Sequence, residues 1–305
     1  MSFNRLSILI YHRVLDKPDA FNPHEIDRVD FYLQMKWVNR IFNVLSLDEA
    51  VIRLNNGTLP PRALCITFDD GYKDNCTNAL PILIEHGLSA TFFVATGFLN
   101  GGIMWNDSII EAFRNTNQQF LDLSRFGFGQ YALSSDKSKV LNEVIEKIKF
   151  LNFSDRLAAI EDVKVQLKVI DPIDLMMTDD EVRYLSASGM FIGGHTVRHP
   201  ILSKLEVDEA RSEIVQGKIE LEKIIEKEIK IFAYPNGKPG RDYKKEHVEL
   251  VREAGFEVAV STAWGVASRH SDIFQLPRFT PWDKGIGKFL LRLYKNRFSA
   301  KEDLV

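Results

Sequence analysis

The strongest constraint on the fold of this chain is the run Ala63-Leu64-Cys65-Ile66-Thr67-Phe68-Asp69-Asp70-Gly71-Tyr72. Its first half is apolar and rich in β-branched residues, which predicts a buried strand. Two adjacent carboxylates follow, and then Gly71, which permits the turn that ends the strand. Neighbours on a strand normally face opposite ways, but at such a turn both carboxylates can reach the same mouth. Because chemistry in α/β folds takes place at the carboxyl ends of the strands, Asp69 and Asp70 are candidate site residues. The alternative is an inert, solvated Asp-Asp-Gly turn.

This strand belongs to an alternation of strands and helices along the chain. A helix is predicted over 75–86 and another buried strand over 90–96. The order strand, helix, strand implies a parallel sheet and an α/β fold. Two capping boxes, Ser46-x-x-Glu49 and Thr178-x-x-Glu181, mark the starts of helices. Further strands are predicted over 6–10, 191–193, 229–234, 257–261 and 273–276. A long amphipathic helix is predicted over 207–226, with its Lys/Glu pattern on a solvated face.

The pattern changes between about 105 and 177. This segment carries helical stretches over 139–151 and 154–170, and its polar joints contain no clear strand. We interpret it as a helical insertion into a single domain that spans residues 1–305. A chain of this length, with 45% hydrophobic residues, is long enough to form one large domain with a substantial core.

Composition excludes several classes of function. The formal net charge of −3 gives no electrostatic basis for binding nucleic acid. The chain has no apolar run long enough for a transmembrane segment. The amino terminus lacks the apolar region of a secretory signal, which predicts a cytoplasmic protein. A basic helix over 286–298 leaves peripheral association with an anionic membrane open, although we favour a helix that closes the fold. Cys65 and Cys76 do not form a disulfide framework.

A second motif, His195-Thr-Val-Arg-His199-Pro200, pairs two histidines four residues apart. On a helix this spacing would place both imidazoles on one face. Pro200 disfavours a helical conformation at His199, so a tight loop that converges the two rings is expected. With one carboxylate, the histidines form a His₂Asp set that leaves metal positions open, as catalytic sites require. The second carboxylate can then act as a base.

Together the two motifs resemble those of a known family, the polysaccharide deacetylases, or NodB-like carbohydrate esterases. The first family motif resembles Thr67-Phe-Asp-Asp-Gly71, and the second resembles His195-Thr-x-x-His199. The resemblance covers residues 8–279 apart from the insertion. It implies a distorted (β/α) barrel of about seven strands, a variant of the closed α/β barrel.

The resemblance also implies roles for the four motif residues. It implies that Asp70, His195 and His199 bind a divalent metal, usually zinc. It implies that Asp69 is the catalytic base. The substrate that it implies is an N-acetylated carbohydrate.

The third family motif, Arg-x-Pro-Tyr/Phe-Gly, is changed in this chain to Ala233-Tyr234-Pro235-Asn236-Gly237. The arginine that orients the catalytic carboxylate in the family is therefore missing at its usual place. Arg278, near the end of the last predicted strand, is a candidate replacement, and a surface ion pair is an equally weighted alternative. The backbone N–H of Asn236 can still stabilise an oxyanion, and Tyr234 beside it is a candidate substrate contact.

The fifth family motif, Leu-x-His, is also changed, because Leu276-Pro277-Arg278 contains no histidine. Family members that act on poly-N-acetylglucosamine carry this histidine in a Tyr-His pair after the first strand. Tyr11-His12 matches that pattern, which implies that His12 is the general acid. Leu276 and Trp264 are candidates to enclose the acetyl methyl group, and both are equally compatible with plain core positions.

The resemblance implies a metal-dependent hydrolase that removes N-acetyl groups from an amino-sugar glycan or glycan precursor. Two alternatives remain open from the sequence. One is a related amide hydrolase, such as a deformylase or a lipid-linked sugar deacetylase, that uses the same residues. The other is a non-catalytic sugar-binding module that lost its activity together with the arginine of the third motif.

Overall fold

The computed structural model describes residues 4–134, 136–283, 285–298 and 304–305. A π-helical turn over Asn75–Ala79 precedes α3. The helices are α1 (Arg28–Ile41), α2 (Leu47–Asn56), α3 (Leu80–Glu85), α4 (Trp105–Asn115), α5 (Lys137–Lys149), α6 (Phe153–Leu167), α7 (Asp179–Ala187), α8 (Val207–Ile225), α9 (Lys245–Glu253) and α10 (Ile286–Asn296). The strands are β1 (Arg5–Tyr11), β2 (Val14–Leu15), β3 (Ile26–Asp27), β4 (Asn43–Val44), β5 (Ala63–Phe68), β6 (Thr91–Val94), β7 (Phe120–Asp122), β8 (Gln130–Ala132), β9 (Phe191–Gly194), β10 (Ile231–Ala233), β11 (Val258–Trp264), β12 (Ala267–Ser268) and β13 (Leu276–Arg278).

The chain divides into two compact units. The first unit comprises Met1–Pro18, His24–Asn100 and Met176–Val305, and it contains the large sheet. The second unit comprises Asp19–Pro23 and Gly101–Leu175, with an apolar core formed mainly by α4, α5 and α6. The interpretation of the second unit as an insertion into a single domain stays a prediction.

The large sheet of the first unit is a barrel of seven parallel strands. Its strands follow the order β1-β5-β6-β9-β10-β11-β13, with β12 antiparallel to β1 and the short β4 beside β5. The residue after β13 closes the ring, because Phe279 N–H donates to Ile8 O at 2.7 Å and Ile10 N–H donates to Phe279 O at 3.0 Å. The predicted distorted (β/α) barrel is therefore confirmed, including the neighbouring positions of its first and last strands.

Successive residues of the barrel strands face two different apolar clusters, as the period of two in a strand requires. Ile8 and Cys65 belong to the interior cluster, which also contains residues of α2. Their chain neighbours Leu9 and Leu64 belong to the outer cluster, which lies between the sheet and most of the other helices of this unit. This alternation decides which side chains reach the interior at the carboxyl ends of the strands.

Three sequence-based expectations about secondary structure have different outcomes: one was wrong, one holds only in part and one is confirmed. The expectation of no strand between 105 and 177 was wrong, because β7 and β8 form a short antiparallel pair. Helix α2 begins where the motif predicted, but the Ser46 side chain makes no capping hydrogen bond. At the start of α7, in contrast, Thr178 and Glu181 form both hydrogen bonds of the predicted capping box.

Among the helices of the described residues, none has the length and apolar character needed to cross a bilayer. Helix α10 packs Phe289 and Leu293 into the outer cluster of the first unit, as expected for a helix that covers the barrel. Cys65 and Cys76 are both free and buried, which confirms that they form no disulfide.

Candidate active site

Two of the predicted site residues, His12 and Asp69, lie at the carboxyl ends of barrel strands and continue their inner faces. Cys65 faces the interior, and the alternation continues through Thr67 to Asp69. The same alternation carries the inner face of β1 from Ile8 through Ile10 to His12. The strand period thus directs His12 and Asp69 to the same end of the barrel interior.

Asp70 escapes the alternation because the backbone turns at this residue. Its φ is +79°, in the left-handed region, and Gly71 follows with a φ of +93°. Both carboxylates consequently approach one imidazole, with His195 Nε2 4.0 Å from Asp69 Oδ2 and 3.3 Å from Asp70 Oδ1. The sequence-based expectation that the two adjacent carboxylates reach the same mouth agrees with this geometry.

Asp70, His195 and His199 form a cluster whose ligand atoms all lie within 4.8 Å of one another. His199 Nε2 is 3.4 Å from Asp70 Oδ1. The Nδ1 atom of His195 is 2.7 Å from Ala233 O. Since a carbonyl oxygen can only accept, Nδ1 carries the hydrogen of this contact, and Nε2 is the ring nitrogen that faces Asp70.

These residues fit a divalent metal. The Oδ1 atom of Asp70 is buried and accepts no hydrogen bond from any residue that the structure describes, although a buried acceptor normally has a partner. Its separations of 3.3 and 3.4 Å from the two imidazole nitrogens match a tetrahedral site, since ligands about 2.0–2.1 Å from a metal lie about 3.3–3.4 Å apart. The cluster could therefore bind a metal.

The electrostatics of the cluster keep its ligands in the forms that a metal requires. Burial outweighs the opposing effect of Asp70 and lowers the pKa of His199 to about 4, so that this imidazole is neutral at neutral pH. Burial alone would raise the pKa of Asp70, but the neighbouring imidazoles of His195 and His199 reverse the shift and lower it. A carboxylate and a neutral imidazole are the forms in which these side chains bind metals.

The two histidines lie in a loop, as the proline after them predicted. Thr196 and His199 both have left-handed backbones, with φ values of +64° and +51°. The hydroxyl of Thr196 accepts the N–H of His199 at 3.1 Å and donates to His195 O. Side-chain hydrogen bonds of this kind let Ser and Thr stabilise a tight turn that is not helical.

Arg278 holds Asp69 from the last strand of the barrel. Its Nη1 and Nη2 atoms donate to the two carboxylate oxygens of Asp69, each at 2.7 Å. Its Nε donates to Ser261 O at 2.8 Å, and its side chain has no exposed surface. The alternative of a surface ion pair is therefore excluded. Burial favours a neutral Asp69, but the Arg278 guanidinium outweighs it and lowers the pKa of this carboxyl.

His12 lies within the electrostatic range of both carboxylates. Its side chain is half-buried, and its backbone carbonyl accepts a hydrogen bond from Asn75 Nδ2 at 2.8 Å. Burial opposes protonation of the ring, but the charges of Asp70, Glu25 and Asp69 outweigh it and raise the pKa of His12. This environment favours an imidazolium near neutral pH.

The structure separates the two residues predicted from the altered third motif. Asn236 adopts a left-handed backbone with a φ of +57°, and its N–H donates to no acceptor within the described residues, which leaves it available to an oxyanion. Tyr234 instead belongs to the outer cluster, fully buried and stacked on Tyr243 with ring centroids 3.9 Å apart. The Tyr234 ring is therefore not brought to the carboxylate and histidine cluster.

Leu276 and Trp264 also occupy different surroundings. Leu276 is fully buried in the interior cluster. Trp264 pairs with Arg278 in the parallel ladder of β11 and β13, and 40% of its surface is exposed. Its ring contacts Phe279, with centroids 4.9 Å apart. The backbone of Trp264 therefore lies beside that of Arg278, the residue that holds Asp69. Leu276, in contrast, is a core residue of the barrel interior.

Sequence reasoning missed several groups that support the site. Thr67 Oγ1 accepts Arg278 Nη1 at 3.2 Å, and Ala233 O fixes the His195 ring. Glu213 of α8 accepts backbone N–H groups of the histidine loop. The helix that carries Glu213 was predicted to present its charged residues to solvent, which is wrong for this buried glutamate. Thr67 lay within the first motif, but nothing in the sequence marked the Ala233 carbonyl.

Comparison with known proteins identifies the same family that the site motifs resemble. The family model for polysaccharide deacetylase matches residues 56–259. The putative polysaccharide deacetylase YxkH of Bacillus subtilis is 21% identical over 276 residues, which cover 90% of this chain and 70% of that protein. A poly-beta-1,6-N-acetyl-D-glucosamine N-deacetylase of Staphylococcus aureus is 25% identical over 181 residues. That alignment covers 56% of this chain and 60% of the staphylococcal protein.

Two solved structures illustrate the shared fold. The Streptococcus pyogenes deacetylase PplD in complex with acetate superposes with a TM-score of 0.64 at 20% identity, covering 95% of this chain and 97% of that chain. IcaB from Ammonifex degensii superposes with a TM-score of 0.62 at 18% identity, covering 95% and 96%. At these identities the likeness shows that the fold is shared.

Proposed function

The chain belongs to the polysaccharide deacetylase family, and from that premise we propose that it removes N-acetyl groups from an amino-sugar glycan or glycan precursor in a metal-dependent hydrolysis. One observation carries the proposal. The unpartnered, buried Oδ1 of Asp70 meets two imidazole nitrogens beside an Asp69 that is buried, ionised and held by Arg278. This arrangement combines a metal-ligand set and a base at one end of the barrel.

Asp70, His195 and His199 would hold a divalent metal, for which we propose zinc, and the metal would supply Lewis-acid activation of water and of the acetyl carbonyl. Two imidazoles and one carboxylate form an open ligand set of the kind found in zinc hydrolases. The low pKa of His199 keeps its imidazole available for this role above about pH 4.

Asp69 is proposed as the general base. Its carboxylate lies 4.0 Å from the Nε2 of His195, so it faces the same space as the ligand set. Each of its oxygens accepts one hydrogen bond from Arg278, and each carboxylate oxygen retains a further lone pair. The base can therefore take a proton from the attacking water while the guanidinium fixes its orientation.

His12 is proposed as the general acid. An amine leaves a tetrahedral intermediate only when its nitrogen is protonated, so the reaction needs a donor. The raised pKa of His12 favours the imidazolium that can give this proton near neutral pH. The backbone N–H of Asn236 is proposed to stabilise the oxyanion of the same intermediate, since no described residue uses that donor.

The substrate class is inferred from the family and from one relative. The staphylococcal relative is named for deacetylation of poly-beta-1,6-N-acetyl-D-glucosamine, which supports an N-acetylated glucosamine unit as the first substrate to test. The exposed face of Trp264, next to Arg278 in the sheet, is suited to contact a sugar ring or its acetyl group.

Acetate release provides the test. Purified protein is treated with a chelator and assayed, with and without added zinc, on poly-β-1,6-N-acetylglucosamine, chitooligosaccharides, monomeric N-acetylglucosamine and N-formylated sugars. We expect zinc-dependent acetate release from at least one of them and none from an Asp69→Asn variant. Formate release from N-formylated sugars alone would support the deformylase alternative. Zinc binding without acetate or formate release from any substrate would contradict the proposal and support a non-catalytic module.

A further inference from the structure

A buried glutamate holds the loop that carries the two histidines. Glu213, on α8, has only 4% of its surface exposed. Its Oε2 accepts the backbone N–H groups of Val197 at 3.0 Å and Arg198 at 2.8 Å. Its Oε1 accepts the Nε of Arg198 at 2.5 Å. Three donors thus satisfy one buried carboxylate, which would otherwise be costly to remove from water.

The backbone of α8 also touches this loop directly. A Cβ atom at Gly217, one turn after Glu213, would lie 2.9 Å from the carbonyl carbon and oxygen of Thr196. Only a residue without a side chain fits there unless the loop or the helix shifts. The loop is therefore held against the helix both by the Glu213 carboxylate and by close backbone contact.

The opposite side of the loop is held by the segment after β6. Gly97 N–H donates to Val197 O at 2.9 Å, and Thr96 N–H donates to Thr196 O at 3.3 Å. Between these supports, Thr196 and His199 keep left-handed backbones that cost free energy in residues with a Cβ. Such conformations persist when the surroundings determine them, and Glu213 supplies the charged part of those surroundings.

We propose that Glu213 is a positioning residue that keeps the His199 imidazole in place to share a metal with Asp70 and His195. This inference rests on the proposed metal-dependent function. Without the carboxylate, the amides of Val197 and Arg198 lose their acceptor, and the backbone of the loop is free to relax toward right-handed conformations. The His199 ring would then be aimed less accurately at Asp70 Oδ1, from which its Nε2 is now 3.4 Å.

The test measures zinc affinity and the stability of the metal-free protein separately. Zinc dissociation constants are determined by competition with a chromogenic chelator for wild type, Glu213→Ala and Glu213→Gln. We expect Glu213→Ala to weaken zinc binding by about 10- to 100-fold, as removal of supporting groups around metal ligands does. Glu213→Gln should weaken it less, because an amide oxygen can still accept the two backbone N–H groups.

Glu209 offers a matched control on the same helix. Its carboxylate contacts the same Arg198 side chain at 3.1 Å, but it is half-exposed and reaches no backbone N–H of the loop. Glu209→Gln should therefore leave the zinc dissociation constant unchanged. Gly217→Ala is a second variant, in which the added methyl group presses on Thr196 while alanine favours the helix. We expect weaker zinc binding here, because the loop that carries the histidines must shift to admit the added methyl group.

The outcomes separate this inference from the proposed function. If wild type binds no zinc, the proposed function fails. If wild type binds zinc and Glu213→Ala and Gly217→Ala bind it equally well, the positioning role is overturned, even where the unfolding temperature of the metal-free variants falls. If Glu213→Ala does not fold, the glutamine and Gly217 variants still decide the question.

Discussion

Arg278 and Asp69 lie 209 residues apart in the sequence and form a buried, two-point ion pair with both oxygen–nitrogen distances at 2.7 Å. The resemblance places the equivalent arginine of the family before the proline of the third motif, where this chain has Ala233. Here the guanidinium comes from the last strand of the barrel. The orientation of the carboxylate is thus retained although the residue at the usual position is lost.

Replacing Asp69 tests the proposed base. Asp69→Asn keeps the shape of the side chain and removes its basicity, so turnover should fall by about 10²-fold or more. Zinc binding should persist, because Asp69 is not one of the three clustered ligands. Acetate release and metal content are measured on the same preparation. Near-normal turnover by the zinc-loaded variant would rule out Asp69 as the base.

Replacing Arg278 tests the ion pair. Arg278→Ala leaves a buried carboxylate without its cation, which should destabilise the protein by about 3–5 kcal/mol in urea unfolding. Arg278→Lys keeps the charge but loses the two-point contact. Because Arg278 lowers the pKa of Asp69, both variants should move the acid limb of the pH–rate profile to higher pH, and alanine should move it further. An acid limb at the wild-type position in both variants would contradict this assignment.

Replacing His12 tests the proposed acid. His12→Gln should slow the chemical step by about 10²-fold or more, because the leaving amine loses its proton donor. The alkaline limb of the profile should disappear, since this limb arises when rising pH deprotonates the His12 imidazolium that donates the proton. Zinc affinity should stay near the wild-type value. His270→Gln, which changes an exposed histidine, serves as the control, and an unchanged alkaline limb in His12→Gln would mean that another group is the acid.

Replacing His199 tests both metal binding and the linkage of its pKa to stability. His199→Gln should lower the zinc content found by elemental analysis. In the metal-free protein, the pKa of His199 is about 4, below its ordinary value near 6.5 in the unfolded chain. At pH values between about 4 and 6.5, the His199 imidazole is protonated in the unfolded chain but not in the folded protein. Lowering the pH through this range therefore reduces the free energy of unfolding of the wild type, whereas His199→Gln lacks this contribution.

The size of that effect follows from the same pKa shift. On going from pH 7 to pH 5, the free energy of unfolding of the metal-free wild type should fall relative to His199→Gln by roughly 1–2 kcal/mol. Urea unfolding in the presence of chelator measures the difference at each pH. A constant difference across this range would contradict a His199 that is neutral in the folded, metal-free protein.

Much of the fold was predictable because its signals were local. The buried strand before Asp69 and the loop forced by Pro200 each follow from a few neighbouring residues, and both agree with the structure. The two-stranded element β7–β8 was not predicted, because three-residue strands carry too little alternation to be recognised. The second capping box formed as expected, whereas Ser46 begins its helix without the side-chain bond.

The site was less predictable where it depends on contacts between distant elements. The sequence could not choose between a surface pair and a buried partner for Arg278, since that choice depends on how the barrel closes. Glu213 was interpreted as part of a solvated helix face, although it shares the buried stripe of Ala210, Ile214 and Gly217. The position of a glutamate within the apolar stripe of the helix could have indicated a buried role. That this glutamate accepts hydrogen bonds from the histidine loop could be recognised only once the position of the loop was known. The alternation in β10, with Ala233 inside, placed Tyr234 outside.

The closure of the barrel has a consequence for how this protein would be inactivated. The seam between the last and first strands rests on Phe279 and its hydrogen bonds to Ile8 and Ile10. His12 follows β1 and Arg278 ends β13, so these two residues lie on the two sides of the seam. Asp70 follows β5 and the histidine loop follows β9, and neither of these strands borders the seam. Partial opening at the seam would separate the proton donor from the guanidinium that orients the base, yet leave the metal ligands together. Under the proposed function, damage that begins at this joint would therefore abolish turnover before it abolishes metal binding.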